Sequence, residues 1–372
     1  MKVVLLTPYW VATKGGISTY VYNLAEELKR IPGNDVTVIT RDEGPQATQI
    51  HGNKICCLIR LPMNLRKNNP DVIHCHGLEV LLIGALIYKT LFNRSVKIVY
   101  TFHTEPPWLE RNKFLNKGKK KSRAWLKIKI FGWALKKCNL VTCVSKALGE
   151  EIRRIYNLDI QNCIVTTPGV RKRRVDFEEK RAFVENHKLL VTSPIICTIS
   201  VLAWELKVKG IEILIKAFRE IVDQYPEGKL LIVGDGPYKQ YLITITENLK
   251  LTNNVIFCGY MDNPFIALSI SDIYCHISLQ EGLPHAILEA MICGKPVVAA
   301  KIGGIPEIIT SEKNGILVEP DERSVTEALF YLIRSPIQAK RLAVNAEALI
   351  YEKFLWTAIA KQIFEVYQRC QN

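Results

Sequence analysis

Short apolar runs recur along the chain, and each is followed by a longer stretch in which apolar residues repeat with helical spacing. The runs predict buried strands, and a stretch such as Ile17–Leu28, apolar along one side, predicts a helix that packs on a sheet. This alternation is typical of a parallel sheet with crossover helices. In the first half, strands are predicted at Lys2–Thr7, Val36–Thr40, Ile55–Leu61, Asp71–His76, Lys97–Phe102, Leu140–Val144 and Cys163–Thr167.

The second half repeats the pattern. Strands are predicted at Pro194–Ser200, Lys229–Val233, Val255–Gly259, Ile273–Ser278 and Pro296–Ala299, with helices that begin near Lys209, Pro284, Ser324, Ile337 and Leu355. We therefore predict an α/β fold with two parallel-sheet domains, at residues 1–185 and 190–354, and a last helix at 355–372. A polar stretch from Arg171 to about Lys188 is predicted as the linker between the domains.

The composition agrees with two ordinary globular domains. A chain of 372 residues is long enough for two cores, and its 48% hydrophobic and 23% charged residues are usual for a soluble protein. Lys89 ends the apolar run Val80–Tyr88 far short of a membrane span. Eleven irregularly spaced cysteines favour free thiols in the cytoplasm, and Met1-Lys2 leads straight into a strand without a signal peptide.

The sequence His74-Cys75-His76 contains three residue types that bind zinc. Adjacent residues in a strand point to opposite faces, so these side chains cannot converge on one ion. No metal site is predicted there.

Positive charge is concentrated in the first half. Residues 1–190 carry 33 Lys and Arg against 16 Asp and Glu, whereas residues 191–372 carry 17 against 20. Within the first half, 111–137 holds 11 basic residues and no acidic one, which predicts an anionic partner: a phospholipid surface, a polyprenyl phosphate or a nucleic acid. As a helix, this block could be an interfacial membrane segment or an ordinary crossover helix with its apolar side in the core. Its candidate contact residues are Lys119, Lys120, Lys121, Arg123, Trp125 and Trp133.

The most distinctive stretch is Gln280–Pro306, QEGLPHAILEAMICGKPVVAAKIGGIP. It predicts a loop, a helix from about Pro284 to Cys293, a strand and a glycine turn. Glu281 and Glu289 are eight positions apart, which places them along one helix edge at roughly 12 Å. Unpaired backbone N–H groups at the helix start favour an anionic ligand. Taken singly, each Glu could equally be a solvated charge.

Together with Gly282 and Pro284, these carboxylates resemble the Glu-x7-Glu signature of the family 4 retaining glycosyltransferases, the glycosyl transferases group 1. Such enzymes have the GT-B architecture, in which two Rossmann-like domains face each other across a cleft and a final helix crosses back to the first domain. The resemblance implies that Glu281 orients the donor sugar and that Glu289 holds the ribose.

Other positions are similar to further elements of this family. Gly15 and Gly16 resemble its first glycine loop, and His103 resembles a histidine that lies under the donor sugar. Lys209 matches a lysine that neutralises the diphosphate, but the expected Arg between Ser200 and Gly210 is missing, and Lys207 is the candidate substitute. The resemblance implies catalytic roles for Glu281, His103 and Lys209. It implies donor binding by Gly15, Gly16, Lys207, Gly234, Asp235, Gly236, Met261, Gly282, Leu283, Pro284, His285 and Glu289.

The function implied by the resemblance is retaining transfer of a hexose from a UDP- or GDP-sugar, with no cofactor. The chain has no Asp-x-Asp, so metal-independent transfer is expected. A lipid-linked or phosphorylated acceptor in cell-envelope glycan or glycolipid synthesis fits the basic first half. We therefore expect the protein in the cytoplasm, peripheral at the inner face of the cell membrane. We expect no nucleic-acid partner. The alternatives are a nucleotide-sugar epimerase of the same architecture and a degenerate, membrane-associated nucleotide-sugar-binding module. A dinucleotide dehydrogenase is disfavoured, because no GxGxxG turn follows the first strand.

Overall fold

The computed structural model describes residues 1–9, 15–41, 47–51, 54–105, 118–159, 163–189 and 193–371, with backbone alone at residues 54 and 118–124. The chain forms two compact units. The first unit comprises Met1–Pro168 and Trp356–Asn372, and the second comprises Gly169–Leu355. The first domain is therefore built from both ends of the chain.

The sheet of the first unit contains seven parallel strands among the described residues. They are β1 (Lys2–Thr7), β2 (Asp35–Thr40), β3 (Ala47–Gln49), β4 (Val72–His76), β5 (Lys97–Phe102), β6 (Leu140–Cys143) and β7 (Cys163–Val165), in the spatial order β3-β2-β1-β4-β5-β6-β7. The helices described in this unit are α1 (Gly16–Lys29), α2 (Lys54–Asn68), α3 (Glu79–Leu91), α4 (Gly118–Lys136), α5 (Lys146–Tyr156) and α13 (Trp356–Gln371).

The second unit holds a sheet of six parallel strands in the part of the chain that the structure describes. They are β8 (Ile195–Ile199), β9 (Lys229–Val233), β10 (Val255–Gly259), β11 (Ile273–His276), β12 (Val297–Ala300) and β13 (Ile316–Val318), in the order β10-β9-β8-β11-β12-β13. Its helices are α6 (Phe177–Asn186), α7 (Glu205–Gln224), α8 (Lys239–Asn248), α9 (Phe265–Ile270), α10 (His285–Ile292), α11 (Glu322–Arg334) and α12 (Pro336–Lys353). A 3-10 turn, Ile305–Glu307, follows β12. The predicted fold class of two parallel-sheet α/β domains is confirmed.

The core of the second unit lies between its sheet and the helices on either side. The apolar stripe of α7 is buried against the sheet, with Leu214 and Phe218 fully inaccessible. Burying such a side chain contributes about 1.5–3 kcal/mol, so this stripe holds α7 firmly against the sheet.

Three sequence predictions are corrected by the structure. The predicted strand Ile55–Leu61 lies inside helix α2, because Cys57, Leu61 and Leu65 form a buried stripe four residues apart while Ile55 and Ile59 are exposed. The predicted linker contains helix α6, which is capped by the Asp176 carboxylate and belongs to the second unit. The units therefore divide after Pro168, rather than between 185 and 190. Helix α7 begins at Glu205, four residues earlier than predicted.

Within the described residues, no helix is both long enough and apolar enough to cross a bilayer. All eleven cysteines lie in described parts of the chain and are free thiols.

Candidate active site

The strand order of the second sheet reverses at β8, which pairs with β9 on one side and with β11 on the other. The connections that leave the carboxyl ends of β8 and β11 therefore diverge, and open α/β sheets bind ligands in the crevice at such a point. Lys207, in the first turn of α7, and Glu281, in the loop after β11, meet there.

Both carboxylate oxygens of Glu281 are hydrogen-bonded. Nζ of Lys207 donates to Oε2 at 2.9 Å, and Nε2 of His276 donates to Oε1 at 3.1 Å. The Glu281 side chain is 4% exposed and that of Lys207 is 30% exposed. Burial acts to raise the pKa of Glu281, but Lys207 and His276 together outweigh it and lower this pKa to about 2. Glu281 is therefore a buried and ionised carboxylate at neutral pH.

His276 is held in place from its other side. Its Nδ1 lies 3.0 Å from the hydroxyl of Tyr274. Since an ionised carboxylate only accepts hydrogen bonds, Nε2 of His276 carries a proton. Burial raises the pKa of Tyr274 well above its ordinary value, so its hydroxyl stays protonated and shares a hydrogen bond with Nδ1. Sequence reasoning missed His276, although a histidine at a strand end five residues before Glu281 was a usable signal.

Two glycines allow the backbone approaches that position this cluster. At Gly210 in α7, an added Cβ would lie 2.1 Å from the carbonyl oxygen of Ile277, so the helix packs directly against the chain leaving β11. Gly303 has a φ of +51°, and its Cβ would lie 2.1 Å from the carbonyl oxygen of Glu281. The loop that carries Glu281 is thus fixed by backbone contacts on both sides.

His285 and Glu289 are four residues apart on α10 and share one face. Burial raises the pKa of Glu289 to about 7, although Arg173 acts against it. Burial and then Lys207 lower the pKa of His285 to about 4, so this imidazole is neutral at pH 7. Between the two carboxylates, the chain passes through the buried residues Gly282, Leu283 and Pro284.

Arg173 was not predicted as a site residue. Its guanidinium donates to the carbonyl oxygen of Asp262, and its charge acts on Glu289 and on the hydroxyl of Tyr260. The segment that follows Pro168 therefore returns to the connection after β10. The sequence signal is the basic run Arg171–Arg174, which lies in the stretch predicted as the linker.

The structure brings Lys207 to Glu281 but leaves Lys209 elsewhere. Lys209 is about half exposed and forms an ion pair with Glu205 one turn earlier, at 2.9 Å. Two residues along a helix correspond to a rotation of about 200°, so Lys207 and Lys209 project to nearly opposite sides of α7.

The turn after β9 contains three of the predicted donor-binding residues, Gly234, Asp235 and Gly236. Oδ1 of Asp235 accepts from the backbone N–H of Gly236 at 2.7 Å, which together with Lys239 lowers the pKa of Asp235. The carbonyl oxygen of Asp235 accepts from the N–H of Leu202, at 3.0 Å, and so joins this turn to the connection after β8. Met261 is half-buried in the connection after β10.

The remaining predicted residues belong to the first unit. Gly15 precedes α1, and its carbonyl oxygen accepts from the N–H of Thr19 and the hydroxyl of Ser18, while Gly16 is exposed at the helix start. His103 follows β5, and its Nε2 lies 3.0 Å from Nδ1 of His76. On α4, Trp125 and Trp133 are 60% and 59% exposed. The side chains of Lys119, Lys120, Lys121 and Arg123 lie outside the described residues.

No group of three or more His, Cys, Asp or Glu side chains in the described ranges is arranged to hold a metal ion. His74 and His76 instead make ring and hydrogen-bond contacts with protein groups.

Two family models match the chain in sequence. The model "Glycosyltransferase Family 4" matches residues 14–174, and the model "Glycosyl transferases group 1" matches residues 179–349. The chain belongs to the family 4, group 1 glycosyltransferases. For this glycosyltransferase, the second match includes Lys207, Glu281 and Glu289.

Relatives of this glycosyltransferase include N-acetyl-alpha-D-glucosaminyl L-malate synthase of Bacillus anthracis, which is 27% identical over 81% of this chain and 75% of that protein. Alpha-monoglucosyldiacylglycerol synthase of Acholeplasma laidlawii is 23% identical over 93% of this chain and 92% of that protein. Among solved structures, HepE of Anabaena in complex with UDP-glucose has a TM-score of 0.81 and 21% identity, covering 99% of this chain and 100% of that one. The structural likeness establishes the same GT-B fold.

Proposed function

We propose that this glycosyltransferase moves a hexose from a UDP- or GDP-sugar to an acceptor, with retention at the anomeric carbon and without a metal ion. The observation that supports this most directly is the buried Glu281 carboxylate, held ionised by Lys207 and His276 at the point where the second sheet reverses its strand order. The complex of HepE with UDP-glucose, a protein of the same fold, supports a nucleotide-sugar donor.

Glu281 can bind sugar hydroxyls while keeping its protein partners. Each carboxylate oxygen has two lone pairs, and each uses one for Lys207 or His276. The remaining pairs can accept hydrogen bonds from vicinal hydroxyls of the donor. Because the carboxylate is ionised and nearly dry, its charge also stabilises positive charge that develops on the sugar as the bond to the leaving group breaks.

Lys207 takes the place of the missing Arg in this proposal. Its ammonium group has three protons and uses one for Glu281, so two remain for oxygens of the departing diphosphate. Its partial exposure leaves the ammonium accessible from solution. A lysine gives a compact charge without the planar fork of an arginine, so it neutralises the leaving group with less geometric selectivity.

Glu289 is the proposed ribose ligand. A pKa near 7 leaves its carboxyl group divided between the ionised and the protonated form at neutral pH. Paired ribose hydroxyls would donate to the ionised form, so donor binding would release a proton from this group. Arg173 favours the same ionised form.

For the acceptor, we propose a lipid-linked or phosphorylated molecule at an anionic membrane surface. On α4, the exposed apolar residues Trp125, Leu126, Ile130 and Trp133 lie within one 140° arc at helical spacing. Phe131, Ala134 and Leu135 are buried on the other side. The buried side fits the crossover-helix interpretation, and we propose that the exposed side is the interfacial membrane segment. The name of the Acholeplasma relative includes a diacylglycerol lipid, which supports such an acceptor class.

The test of the proposed function is nucleotide release from a panel of UDP- and GDP-hexoses in the presence of EDTA. We expect release from a subset of donors, and its loss in Glu281→Gln, which keeps the side-chain volume and removes the charge. Glu327→Gln is the matched control, because Glu327 is an exposed residue of α11 that pairs with Arg323 on the surface.

The outcomes separate the alternatives. If nucleotide binds but every donor stays intact with every acceptor offered, the protein is a degenerate binding module and not a transferase. If the sugar is isomerised while it remains on the nucleotide, the protein is an epimerase and not a transferase. If release requires a divalent cation, the metal-independent mechanism is wrong.

A further inference from the structure

Three histidines gather at the carboxyl ends of two neighbouring strands in the first unit. His74 and His76 lie on β4, and His103 follows β5. The ring centroids of His74 and His76 are 4.1 Å apart, and those of His76 and His103 are 5.3 Å apart. Tyr20 of α1 packs its ring against both His76 and His103.

His74 has a structural role that its contacts explain. Its Nδ1 lies 2.6 Å from the hydroxyl of Tyr367 on α13, and its Nε2 lies 2.5 Å from Oγ1 of Thr101 on β5. Burial lowers the pKa of His74 to about 3, so the ring is neutral, with one nitrogen donating and the other accepting.

His76 differs because only one of its nitrogens is satisfied. Its Nδ1 is hydrogen-bonded to Nε2 of His103, at 3.0 Å. Its Nε2 is buried and has no hydrogen-bond partner among the described residues. Burial first, and then the neighbouring His74 and His103, lower the pKa of His76 well below its ordinary value. The His76 ring is therefore neutral and carries one proton, on one nitrogen or the other.

The two positions for that proton are not equivalent. A proton on Nε2 would bury an N–H donor that has no acceptor in the described part of the chain, and unpaired buried N–H groups are rarer than unpaired acceptors. A proton on Nδ1 leaves only an unused lone pair at Nε2 and makes the hydrogen bond to His103. The geometry therefore favours His76 as the donor in this pair.

We propose that His76 is a positioning residue that fixes His103 in the tautomer protonated at Nδ1. Since Nδ1–H of His76 donates to Nε2 of His103, this Nε2 has no proton, and a neutral His103 carries its proton on Nδ1. A neutral His103 is then a hydrogen-bond donor through Nδ1, whereas its Nε2 is occupied by His76 and does not act as a base. The catalytic consequence rests on the proposed function, whereas the tautomer itself does not.

Nitrogen-15 correlation spectra of histidine-labelled protein test the proposal in the resting state, without substrate. The seven histidines are assigned by single substitutions, with exposed His51→Asn as the control that leaves the cluster intact. We expect pyrrole-type shifts for Nδ1 of both His76 and His103, and pyridine-type shifts for both Nε2 atoms. A protonated Nε2 on His103, or a doubly protonated ring at neutral pH, overturns the proposal.

Two substitutions of His76 then separate positioning from packing. His76→Leu removes the donor, so the His103 shifts should move towards a mixture of tautomers, and kcat should fall by about 100-fold, as for loss of one preorganised donor. His76→Asn keeps an N–H near the position of Nδ1, so it should restore both the native shifts and most of the turnover. Unchanged His103 shifts in His76→Leu overturn the tautomer assignment. Native shifts in a protein that turns over no donor refute the proposed function and leave the tautomer assignment standing.

Discussion

Lys207 and Glu281 are 74 residues apart in sequence, and their side chains meet at 2.9 Å. The pair joins the first turn of α7 to the loop after β11, the two connections that diverge at the centre of the second sheet. A buried carboxylate without its cation is costly, so the position of α7 and the charge state of Glu281 depend on each other.

The first prediction compares two lysines on one helix. Lys207→Met should lower kcat/KM for the donor by about 100-fold, because it removes the charge that faces both Glu281 and the proposed diphosphate. Lys209→Met should stay within about threefold of native, since an exposed pair such as that with Glu205 contributes little. Steady-state nucleotide release measures both. A larger loss in Lys209→Met would assign the diphosphate role to the residue that the family pattern indicated.

The second prediction concerns acid stability. The pKa of Glu281 in the folded chain, about 2, is lower than the unfolded value of about 4.3, so its ionised form stabilises the fold above pH 4.3. This contribution, up to about 3 kcal/mol, should be lost as the pH falls from about 4 to about 2. Thermal midpoints of native protein and Glu281→Gln should therefore converge across this window. A constant difference between them would show that Glu281 is not held ionised.

The third prediction concerns the opposite shift at Glu289. Its folded pKa of about 7 is higher than the unfolded value of about 4.3, so folding favours the protonated form. Stability should be lost as the pH rises from about 4 to about 7, and Glu289→Gln should remove this loss. The variant should therefore gain stability over native protein at pH 8 but not at pH 4, while it binds nucleotide more weakly. Tighter nucleotide binding by Glu289→Gln would contradict the ribose role.

The fourth prediction uses two helical glycines. Gly210→Ala would place a Cβ 2.1 Å from the Ile277 carbonyl oxygen, so α7 must shift. We expect the free energy of unfolding to fall by about 1–3 kcal/mol and donor turnover to be lost. Gly149→Ala in α5 is the matched control, because the nearest atom to its new Cβ lies at 3.7 Å. The control should be neutral or more stable by up to about 1 kcal/mol. Urea titrations and donor turnover of the two variants distinguish these effects, and equal behaviour of both would refute the close approach.

The fifth prediction concerns the exposed face of α4. Replacing Trp125 and Trp133 by Ser should weaken binding to vesicles of anionic and neutral phospholipid without lowering the thermal midpoint, since both side chains are exposed. Tyr331→Ser with Tyr351→Ser is the control, because these exposed aromatic residues lie on other helices.

The same vesicles test the charge of this segment. Replacing Lys119, Lys120 and Lys121 by Glu should reduce partitioning by roughly 100-fold or more, since each lysine near an anionic leaflet contributes about 1 kcal/mol. Reversal of Lys250, Lys313 and Lys340, which are exposed in the second unit, is the control. Unchanged partitioning in the first triple variant would remove the membrane surface as a partner.

The strand positions were predictable because continuous apolar runs and glycine exits are local signals. Several strands, Lys2–Thr7, Lys97–Phe102, Lys229–Val233 and Val255–Gly259 among them, have the predicted bounds. Ile55–Leu61 failed because a short apolar run fits a strand and a helix equally, and only packing of Cys57, Leu61 and Leu65 decides between them.

The two glutamates of the candidate site could be predicted from the sequence, but the side chains that contact them could not. The two glutamates were visible as a spaced pair, but which lysine reaches Glu281 depends on where α7 begins, and a shift of two residues reverses the side that a side chain faces. His276 was missed, and His76 was assessed only as a zinc ligand, for a related reason. Their importance comes from hydrogen bonds to Glu281 and His103 on other segments, and such contacts leave no periodic trace in the sequence.

The contact between His74 of β4 and Tyr367 of α13 affects the order in which the two units can fold during synthesis. Trp356, at the start of the same helix, packs against Tyr20 of α1. Domains generally fold as units when they leave the ribosome, and the second unit is continuous in sequence. The strands of the first unit precede the second unit in sequence, whereas α13, which covers Tyr20 and His74, follows it. The first unit therefore lacks this helix until the second unit has been translated. Of the two units, we therefore expect the one whose strands are translated first to complete its packing last.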